Sequence, residues 1–336
     1  MSHRTFRALS VFRTVRRTLA AVAALSLAAG AQAQDKFTYM TNWYAQAEHG
    51  GFYQAVATGI YKKYGLDVTI RMGGPQVNIL QLMAAGQTDC IMGSSDIQMM
   101  VARNGGVPVV TLAAIFQKDP QVLISHENVK SFEEMRDKTI LIAPSAQRGY
   151  WLWLKSRFGL KDEQTRPYTF NIQPFLADRN TVQQGYLTSE PFAIQRAGIK
   201  ATTHLFADHG WTSYATTISC MEQTVKNRAR AVDAFVKGSM EGWKSFLENP
   251  APAIPLIKKD NPNMTDEQIA YSVGKLRELG MVTSGDARTV GIGAISESRM
   301  RQNLAFLLDN KLVEPGKVKL EEAYSLDSVR SAKVLP

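Results

Sequence analysis

The sequence is poor in the residues from which metal, redox and nucleophilic centres are built. Its 336 residues include two cysteines and five histidines, which are dispersed along the chain and nominate no catalytic triad. No G-x-S-x-G, P-loop or H-E-x-x-H motif occurs, and Ser272-Val273-Gly274-Lys275 matches S-x-x-K only on a predicted helix face. His204, Asp208 and His209 lie in an irregular stretch without thiols or paired carboxylates. We therefore expect no catalytic residue, no metal site and no cofactor.

A block of Lys and Arg with interleaved aromatic residues is also absent after position 33. The formal net charge is +9. Arg4, Arg7, Arg13, Arg16 and Arg17 supply five of those charges, which leaves about +4 for the remaining chain. This mild charge does not indicate a nucleic-acid partner.

Residues 1–33 have the features of a cleavable secretory signal peptide. A basic segment without acids precedes a run of small and apolar residues from Leu19 to Gly30, and Ala31-Gln32-Ala33 offers a cleavage site before Gln34. The apolar run of about a dozen residues is short for a membrane span. No cysteine follows the cleavage site, so we expect a periplasmic protein without a lipid anchor. Arg16-Arg17 leaves Sec and twin-arginine export both open.

The two cysteines, Cys90 and Cys220, would thus lie in an oxidising compartment. They can form a disulfide only if the fold brings them within bonding distance. Because Cys90 falls in a predicted buried strand, we favour two separate buried thiols over a disulfide.

What the chain does contain is an alternation of short apolar runs with helical patterns, which is typical of α/β architecture. The stretch Asn42–Ile70 includes a strand end, an aromatic loop, an amphipathic helix and a second strand. Apolar residues recur through this helix at helical spacing, and Gly65 is expected to end it. These apolar residues are Tyr53, Val56, Ala57, Ile60 and Tyr64.

About 300 residues after the signal exceed one typical core, so we expect two domains. Strand and helix patterns alternate up to "YATTISC", including a predicted strand at "FNIQPF", and long helices follow. Thr265 and Gln268 predict a helix start. This order is explained if a second lobe, residues 119–212, interrupts a first lobe. The first lobe would then consist of residues 34–118 and 213–336.

Ligands in open α/β sheets bind beyond the carboxyl ends of the strands, so residues at those ends are the binding candidates. Gly93-Ser94-Ser95-Asp96 and Ser145–Tyr150 each follow a strand and precede a helix, where N–H groups and hydroxyls can either hold a ligand or cap the helix. Glu190 can accept from ring N–H or amino donors, or remain a solvated turn residue. The candidate ligand-binding residues from these patterns are Asn42, Trp43, Tyr44, His49, Gly93, Ser94, Ser95, Phe116, Gln117, Ser145, Tyr150, Trp151, Tyr186 and Glu190.

Four segments together resemble the solute-binding proteins of ABC importers in the family of sulfonate and nitrate carriers and carriers of thiamine-pyrimidine and riboflavin precursors. These segments are "NWYAQAEHGGFYQAVATGIYKKYGLDVTI", "SFEEMRDKTI", "GYLTSEPFA" and "YATTIS" followed by "ARAVDAFVKGSMEGW". The resemblance implies a type II periplasmic binding protein whose two α/β lobes are joined by two hinge crossovers, with the ligand cleft between them. We place the hinges near Gln117–Gln121 and Asp208–Tyr214. Resemblance to the pyrimidine branch of the family also implies which residues line the cleft, namely Asn42, Trp43, His49, Tyr53, Ser94, Ser95 and Glu190. The implied partners are a small molecule and an ABC permease of the inner membrane, and we expect a monomer.

The same family includes fungal enzymes that build the thiamine pyrimidine from histidine and pyridoxal phosphate. At the position implied for their Schiff-base lysine this sequence has Ser95, and it has only Cys220 where they carry clustered cysteines. We therefore expect a receptor for an aromatic heterocycle. A sulfonate, nitrate or carboxylate receptor is the first alternative, and a pyrimidine-synthase-like enzyme is the second.

Overall fold

The structure, a computed structural model, describes residues 34–336. The signal peptide predicted for residues 1–33 lies outside this range. The strands, numbered in chain order, are β1 (Asp35–Met40), β2 (Leu66–Arg71), β3 (Cys90–Ser95), β4 (Val109–Phe116), β5 (Gln121–His126), β6 (Thr139–Ile142), β7 (Thr165–Pro167), β8 (Thr181–Tyr186), β9 (Ala201–Leu205) and β10 (Ala215–Met221).

Helices pack around these strands, and none within residues 34–336 is both long and apolar enough to cross a membrane. The α-helices are α1 (Gly50–Ala57), α2 (Ile60–Lys63), α3 (Ile79–Ala84), α4 (Asp96–Asn104), α5 (Tyr150–Phe158), α6 (Gln173–Ala177), α7 (Glu190–Arg196), α8 (Glu222–Asn227), α9 (Ala229–Glu248), α10 (Ile254–Asp260), α11 (Asp266–Glu278), α12 (Glu297–Asp309), α13 (Leu320–Ala323) and α14 (Asp327–Ala332). Short 3₁₀ segments include Ala47–His49, Pro144–Arg148 and Phe206–His209.

The strands form two five-stranded mixed sheets. The first has the order β2-β1-β3-β10-β4, in which β1 and β3 are parallel and β10 is antiparallel to both of its neighbours. The second has the order β7-β6-β8-β5-β9. Strand β4, "VVTLAAIF", is buried throughout, as expected for an apolar run covered on both faces, whereas edge strand β2 alternates between buried and exposed positions.

The chain passes between the sheets at two places. It leaves the first sheet after Phe116, enters the second at Gln121, and returns between Leu205 and Ala215. These crossovers coincide with the two segments predicted as hinges. The lobe boundaries, and hinge motion at the crossovers, remain predictions.

The prediction of two separate thiols was wrong. Cys90 and Cys220 are directly opposite each other in the antiparallel pair of β3 and β10, with a Cα–Cα distance of 4.3 Å, and they form a disulfide. Sequence patterns placed Cys90 in a strand, but the pairing register that brings Cys220 beside it depends on the return of the chain from the second sheet.

Two local predictions also need correction. The helix expected from Tyr53 to Tyr64 is interrupted, because Gly59 adopts the left-handed conformation (φ 73°) and separates α1 from α2. Gly65 (φ 79°) has the left-handed conformation predicted for a helix end. The segment "FNIQPF" is not a strand: Pro174 lies in the first turn of α6, where its fixed φ and missing N–H are well tolerated.

The glycine pair that begins α1 has a packing role. Helix α1 lies against α9, and a Cβ on Gly50 or Gly51 would overlap the rings of Phe246 and Trp243, respectively. The same core contains Phe235, which stacks on several of its aromatic neighbours. The close approach of the two helices therefore requires residues without side chains. This core fixes the loop before α1, which leads to the candidate site.

Candidate functional site

A cleft-shaped cavity lies between the two sheets, with about 690 Å³ of space between its walls, part of which is open solvent. Its walls come from the ends of β1, β3, β6 and β8 and from both crossovers, which places it at strand ends as predicted. The lining residues are Asn42, Trp43, Gln46, Ser94, Ser95, Gln98, Asp119, Gln121, Ser145, Ala146, Gly149, Tyr150, Gln184, Gly185, Tyr186, Glu190 and Trp211.

The wall contributed by the first sheet is a network of short polar side chains. Asn42 Nδ2 donates to Ser94 Oγ (2.8 Å), which leaves the Ser94 hydroxyl proton available to a ligand. Ser95 Oγ accepts from the backbone N–H of Gln98 (3.1 Å) and so caps α4. Gln98 Nε2 in turn donates to the carbonyl of Ser145 (3.4 Å), which lies in the opposite wall.

Two amide oxygens in this wall have no partner. Asn42 Oδ1 and Gln46 Oε1 are buried and accept no hydrogen bond from any residue of the described chain. A buried acceptor without a donor costs about 1–3 kcal/mol. Both oxygens belong to cavity-lining residues, so a ligand with N–H or O–H groups can satisfy them.

The opposite wall carries Glu190, which is 6% exposed. Its Oε1 accepts from the Tyr168 hydroxyl (2.9 Å) and its Oε2 from the backbone N–H of Tyr186 (2.8 Å). Burial nevertheless raises the pKa of the Glu190 carboxyl above its usual range. Each carboxylate oxygen has a second lone pair, so Glu190 can still accept from a ligand.

The crossovers supply a second buried carboxyl group. Asp119 Oδ2 accepts from Trp211 Nε1 (2.7 Å), which joins the two crossovers, and Oδ1 accepts from the backbone N–H of Gln121 (3.0 Å). Burial raises the pKa of Asp119 to about 7. Neither Asp119 nor Trp211 was predicted as a site residue, although both lie in the segments predicted as hinges.

A cationic side chain anchors these crossovers from outside the cavity. Arg299, on α12, donates to the carbonyls of Gln117 (2.6 Å) and Ser213 (2.7 Å), and its guanidinium lies 3.8 Å from the centre of the Tyr214 ring. Each of the two crossovers thus has a backbone carbonyl bound to the side chain of Arg299. Arg299 is engaged in these contacts and does not line the cavity.

The charge of the cavity decides which ligands it suits. Among its described lining residues there are two carboxyl groups and no Lys, Arg or His. A buried anion needs a compensating positive charge or several donors, whereas a flat ring with N–H groups matches buried acceptors and aromatic walls. The aromatic lining side chains are Trp43, Tyr150, Tyr186 and Trp211.

Eight of the residues predicted from sequence line this cavity: Asn42, Trp43, Ser94, Ser95, Ser145, Tyr150, Tyr186 and Glu190. The structure places the other seven elsewhere, namely Tyr44, His49, Tyr53, Gly93, Phe116, Gln117 and Trp151. Each of these seven has a structural environment that accounts for it.

Three of the seven are held by partners in the protein. Tyr53 donates to Asp260 Oδ2 (2.8 Å), and Trp151 donates through Nε1 to Asp162 Oδ1 (2.7 Å). Phe116 is fully buried and packs edge-on against Trp243, in the same core as Phe235. Their rings therefore contact other parts of the protein and do not line the cavity.

Gln117 and Tyr44 contact other parts of the chain. Gln117 donates to the carbonyls of Ala114 (2.9 Å) and Ala294 (2.8 Å), and the ring of Tyr44 packs against Phe170 with centroids 5.8 Å apart.

His49 and Gly93 are enclosed by neighbouring elements. His49 is 1% exposed, and burial lowers its pKa to about 3, so the ring is neutral at physiological pH. Gly93 faces Thr217 at a distance that leaves no room for a Cβ.

Two of the three residues considered for metal ligation have other partners. His204 Nε2 hydrogen-bonds to Ser125 Oγ (2.9 Å), and Asp208 pairs with Lys118 (3.0 Å). Residues 34–336 contain no group of three His, Cys, Asp or Glu side chains arranged to hold a metal ion.

Comparison with known proteins assigns the family. Residues 46–253 match the family described as NMT1/THI5 like. The chain belongs to this family. The match begins at Gln46, in the loop of the first cavity wall, and ends beyond α9.

Two curated relatives illustrate the range of this family. The riboflavin-binding protein RibY of Chloroflexus aurantiacus is 25% identical over 214 residues, which cover 61% of this chain and 60% of that protein. The 4-amino-5-hydroxymethyl-2-methylpyrimidine phosphate synthase of Aspergillus parasiticus is 27% identical over 85 residues, or 25% of this chain and 24% of the enzyme. The chain thus spans less than two thirds of either relative.

Solved structures with a similar fold include components of import systems. The alkanesulfonate-binding protein SsuA from Xanthomonas axonopodis pv. citri, bound to MOPS, aligns with a TM-score of 0.64 at 11% identity, covering 87% of this chain and 98% of that one. A ligand-binding component of an ABC-type import system from Staphylococcus aureus aligns with a TM-score of 0.64 at 11% identity, covering 89% and 99%. The predicted periplasmic-binding-protein fold is confirmed.

Proposed function

We propose that the protein is the extracytoplasmic receptor of an ABC importer and captures a small aromatic heterocycle that carries hydrogen-bond donors. The observation that carries this proposal is the acceptor-rich cavity. It combines two buried carboxyl groups and two unpartnered amide oxygens with aromatic walls, and no cationic side chain lines it within the described chain. A thiamine-pyrimidine precursor and a riboflavin-like molecule both have the required ring and donors.

The mechanism that fits this geometry is a population shift between open and closed lobes. Ligand contacts to both walls, such as Ser94 on one and Glu190 on the other, exist only when the lobes are closed. The ligand therefore stabilises the closed form by these differential contacts. The closed receptor, a monomer in the periplasm, would deliver its ligand to an inner-membrane permease.

The disulfide supports an extracytoplasmic location. Cys90 and Cys220 are paired in the structure, and disulfides persist mainly in oxidising compartments such as the periplasm. This is in keeping with the secretory signal predicted for residues 1–33.

Isothermal titration calorimetry tests the ligand class. We expect riboflavin or 4-amino-5-hydroxymethyl-2-methylpyrimidine to bind, and ethanesulfonate and nitrate to give no heat of binding. Glu190→Gln should weaken the bound heterocycle about 10- to 100-fold, the range for a hydrogen bond to a charged group. Glu163→Gln, which changes an exposed carboxylate in the same half of the molecule, is the matched control and should bind like the wild type.

A sulfonate receptor is the second candidate, because the fold is shared with alkanesulfonate-binding SsuA and the amino end of α4 opens at Ser95, beside the cavity. The same titration separates the two. Binding of ethanesulfonate without binding of either heterocycle would replace the proposed function with this one.

A further inference from the structure

Three successive carbonyls of the turn between β8 and α7 are bound by one helix of the other lobe. Tyr271 Oη donates to Leu187 O (3.3 Å), Ser272 Oγ to Thr188 O (2.7 Å) and Gln268 Nε2 to Ser189 O (3.2 Å). The three donors lie on α11, which follows the first sheet in the chain, while the turn belongs to the second sheet. The contact therefore spans the two halves of the molecule at a point separate from both crossovers.

The side chain of Thr188 adds a fourth contact. Its hydroxyl donates to Glu48 Oε1, and Glu48 lies in the 3₁₀ segment that follows the first cavity wall. Thr188 is fully buried, and Glu48 is 1% exposed. Glu48 Oε2 is buried without a partner in residues 34–336, so the bond to Thr188 is the one side-chain hydrogen bond described for this carboxyl group. Loss of that bond would leave the buried carboxyl group without a side-chain partner, which costs free energy, so the bond stabilises the contact between Thr188 and Glu48.

The bound turn is directly attached to the cavity. Tyr186 and Glu190, the residues on either side of it, both line the cavity. Glu190 Oε2 accepts from the Tyr186 N–H (2.8 Å), which closes the turn into a compact unit. Any displacement of residues 187–189 away from α11 therefore moves the Glu190 carboxylate away from the first cavity wall.

We propose that Glu48, Gln268, Tyr271 and Ser272 form a latch for residues 187–189 that holds the lobes closed and positions Glu190 for the ligand. This inference rests on the proposed function, since it concerns the same cavity. These four are positioning residues, because none of them lines the cavity. The apparent dissociation constant equals the intrinsic one divided by the closed fraction, so weakening the latch weakens binding without removing a ligand contact.

The first test needs no ligand. Spin labels on cysteines introduced at the exposed positions Lys62 and Arg179 report the distance across the cleft by double electron–electron resonance. The native cysteines are fully buried in the disulfide and are not labelled. We expect a measurable closed population in the wild type, and Thr188→Val, which keeps the shape but removes the hydroxyl, should lower the closed-to-open ratio about tenfold.

Three further variants complete the design. Thr188→Ser keeps a hydroxyl and should restore the wild-type distribution. Ser272→Ala removes the donor on α11 that binds the Thr188 carbonyl, and it should act like Thr188→Val. The test therefore remains valid if one of the two variants folds poorly. Lys275→Gln changes an exposed pair with Glu278 on the same helix and should have no effect.

A wild-type distribution that contains only the open distance, or a Thr188→Val distribution equal to that of the wild type, overturns the latch. With riboflavin as the probe, the dissociation constant should rise in Thr188→Val by the factor by which the closed fraction falls, up to about tenfold, through a faster dissociation rate. If riboflavin fails to bind the wild type, the ligand assignment is contradicted. The distance measurement still shows whether the latch favours the closed form, because it needs no ligand.

Discussion

Removal of the Cys90–Cys220 bridge should cost more stability than most single changes in this protein. The two residues are 130 positions apart in the chain. In the chain-entropy model, a loop of this length that loses its cross-link gains enough unfolded-state entropy to destabilise the folded state by about 5 kcal/mol at 25 °C. This is comparable with the whole stability of a marginal domain, about 5–15 kcal/mol.

The variants Cys90→Ala, Cys220→Ala and the double variant measure this cost. Both positions are fully buried, so replacement of each sulfur also leaves a small void. Because a single variant already opens the loop, the two single variants and the double variant should differ from one another by only about 1 kcal/mol. The large step is expected between the wild type and any of them.

Urea denaturation followed by tryptophan fluorescence gives the free energies. The wild type unfolded and refolded with dithiothreitol should match the variants, and the reductant should not affect the double variant. Equal free energies of unfolding for the oxidised wild type and the double variant would show that the disulfide does not stabilise the fold. Ligand affinity should change less than twofold, since neither cysteine lines the cavity.

Three further predictions concern the cavity, the neighbouring Glu48 carboxyl group and the reaction with pyridoxal phosphate. Trp43→Ala should weaken heterocycle binding about tenfold, as measured by calorimetry, because an aromatic contact contributes about 0.5–1.5 kcal/mol beyond its buried area. An unchanged affinity would exclude stacking of the ligand on Trp43. Burial raises the pKa of Glu48 from 4.5 to about 7, so the folded state retains a proton that the unfolded chain releases, and stability should fall as the pH rises from 4.5 to 7. Glu48→Gln should remove about 3 kcal/mol of this loss of unfolding free energy, measured by urea denaturation at pH 4.5 and pH 7. The same pH dependence in the variant and the wild type would contradict the raised pKa of Glu48. Incubation with pyridoxal phosphate should give no imine absorbance that borohydride abolishes, because the position implied for the Schiff-base lysine is Ser95.

The strand-end rule explains which site residues could be predicted from the sequence. Asn42, Ser94, Ser145 and Tyr186 all follow or end strands whose apolar patterns are clear, and each lies in the cavity. Trp151 follows Tyr150 by one position on α5, where a turn of about 100° carries its ring to Asp162. Periodicity near a helix start does not show which of two adjacent rings faces a cavity.

The parts that could not be predicted depend on contacts between distant segments. Asp119 and Trp211 lie in irregular crossovers, where no periodic pattern marks an inward-facing side chain, and they meet only because the chain returns beside its own exit. The Cys90–Cys220 pairing depends on the same return. Similarly, the role of Gly50 follows from the ring of Phe246, about 200 positions later in the chain.

Native mass spectrometry can identify the ligand of protein purified from a bacterial periplasm, because any small molecule that the protein retains is recognised by its mass. We expect an aromatic heterocycle with N–H or amino groups, bound noncovalently and released on unfolding. A retained sulfonate or nitrate, or a covalently bound pyridoxal phosphate, would contradict this expectation.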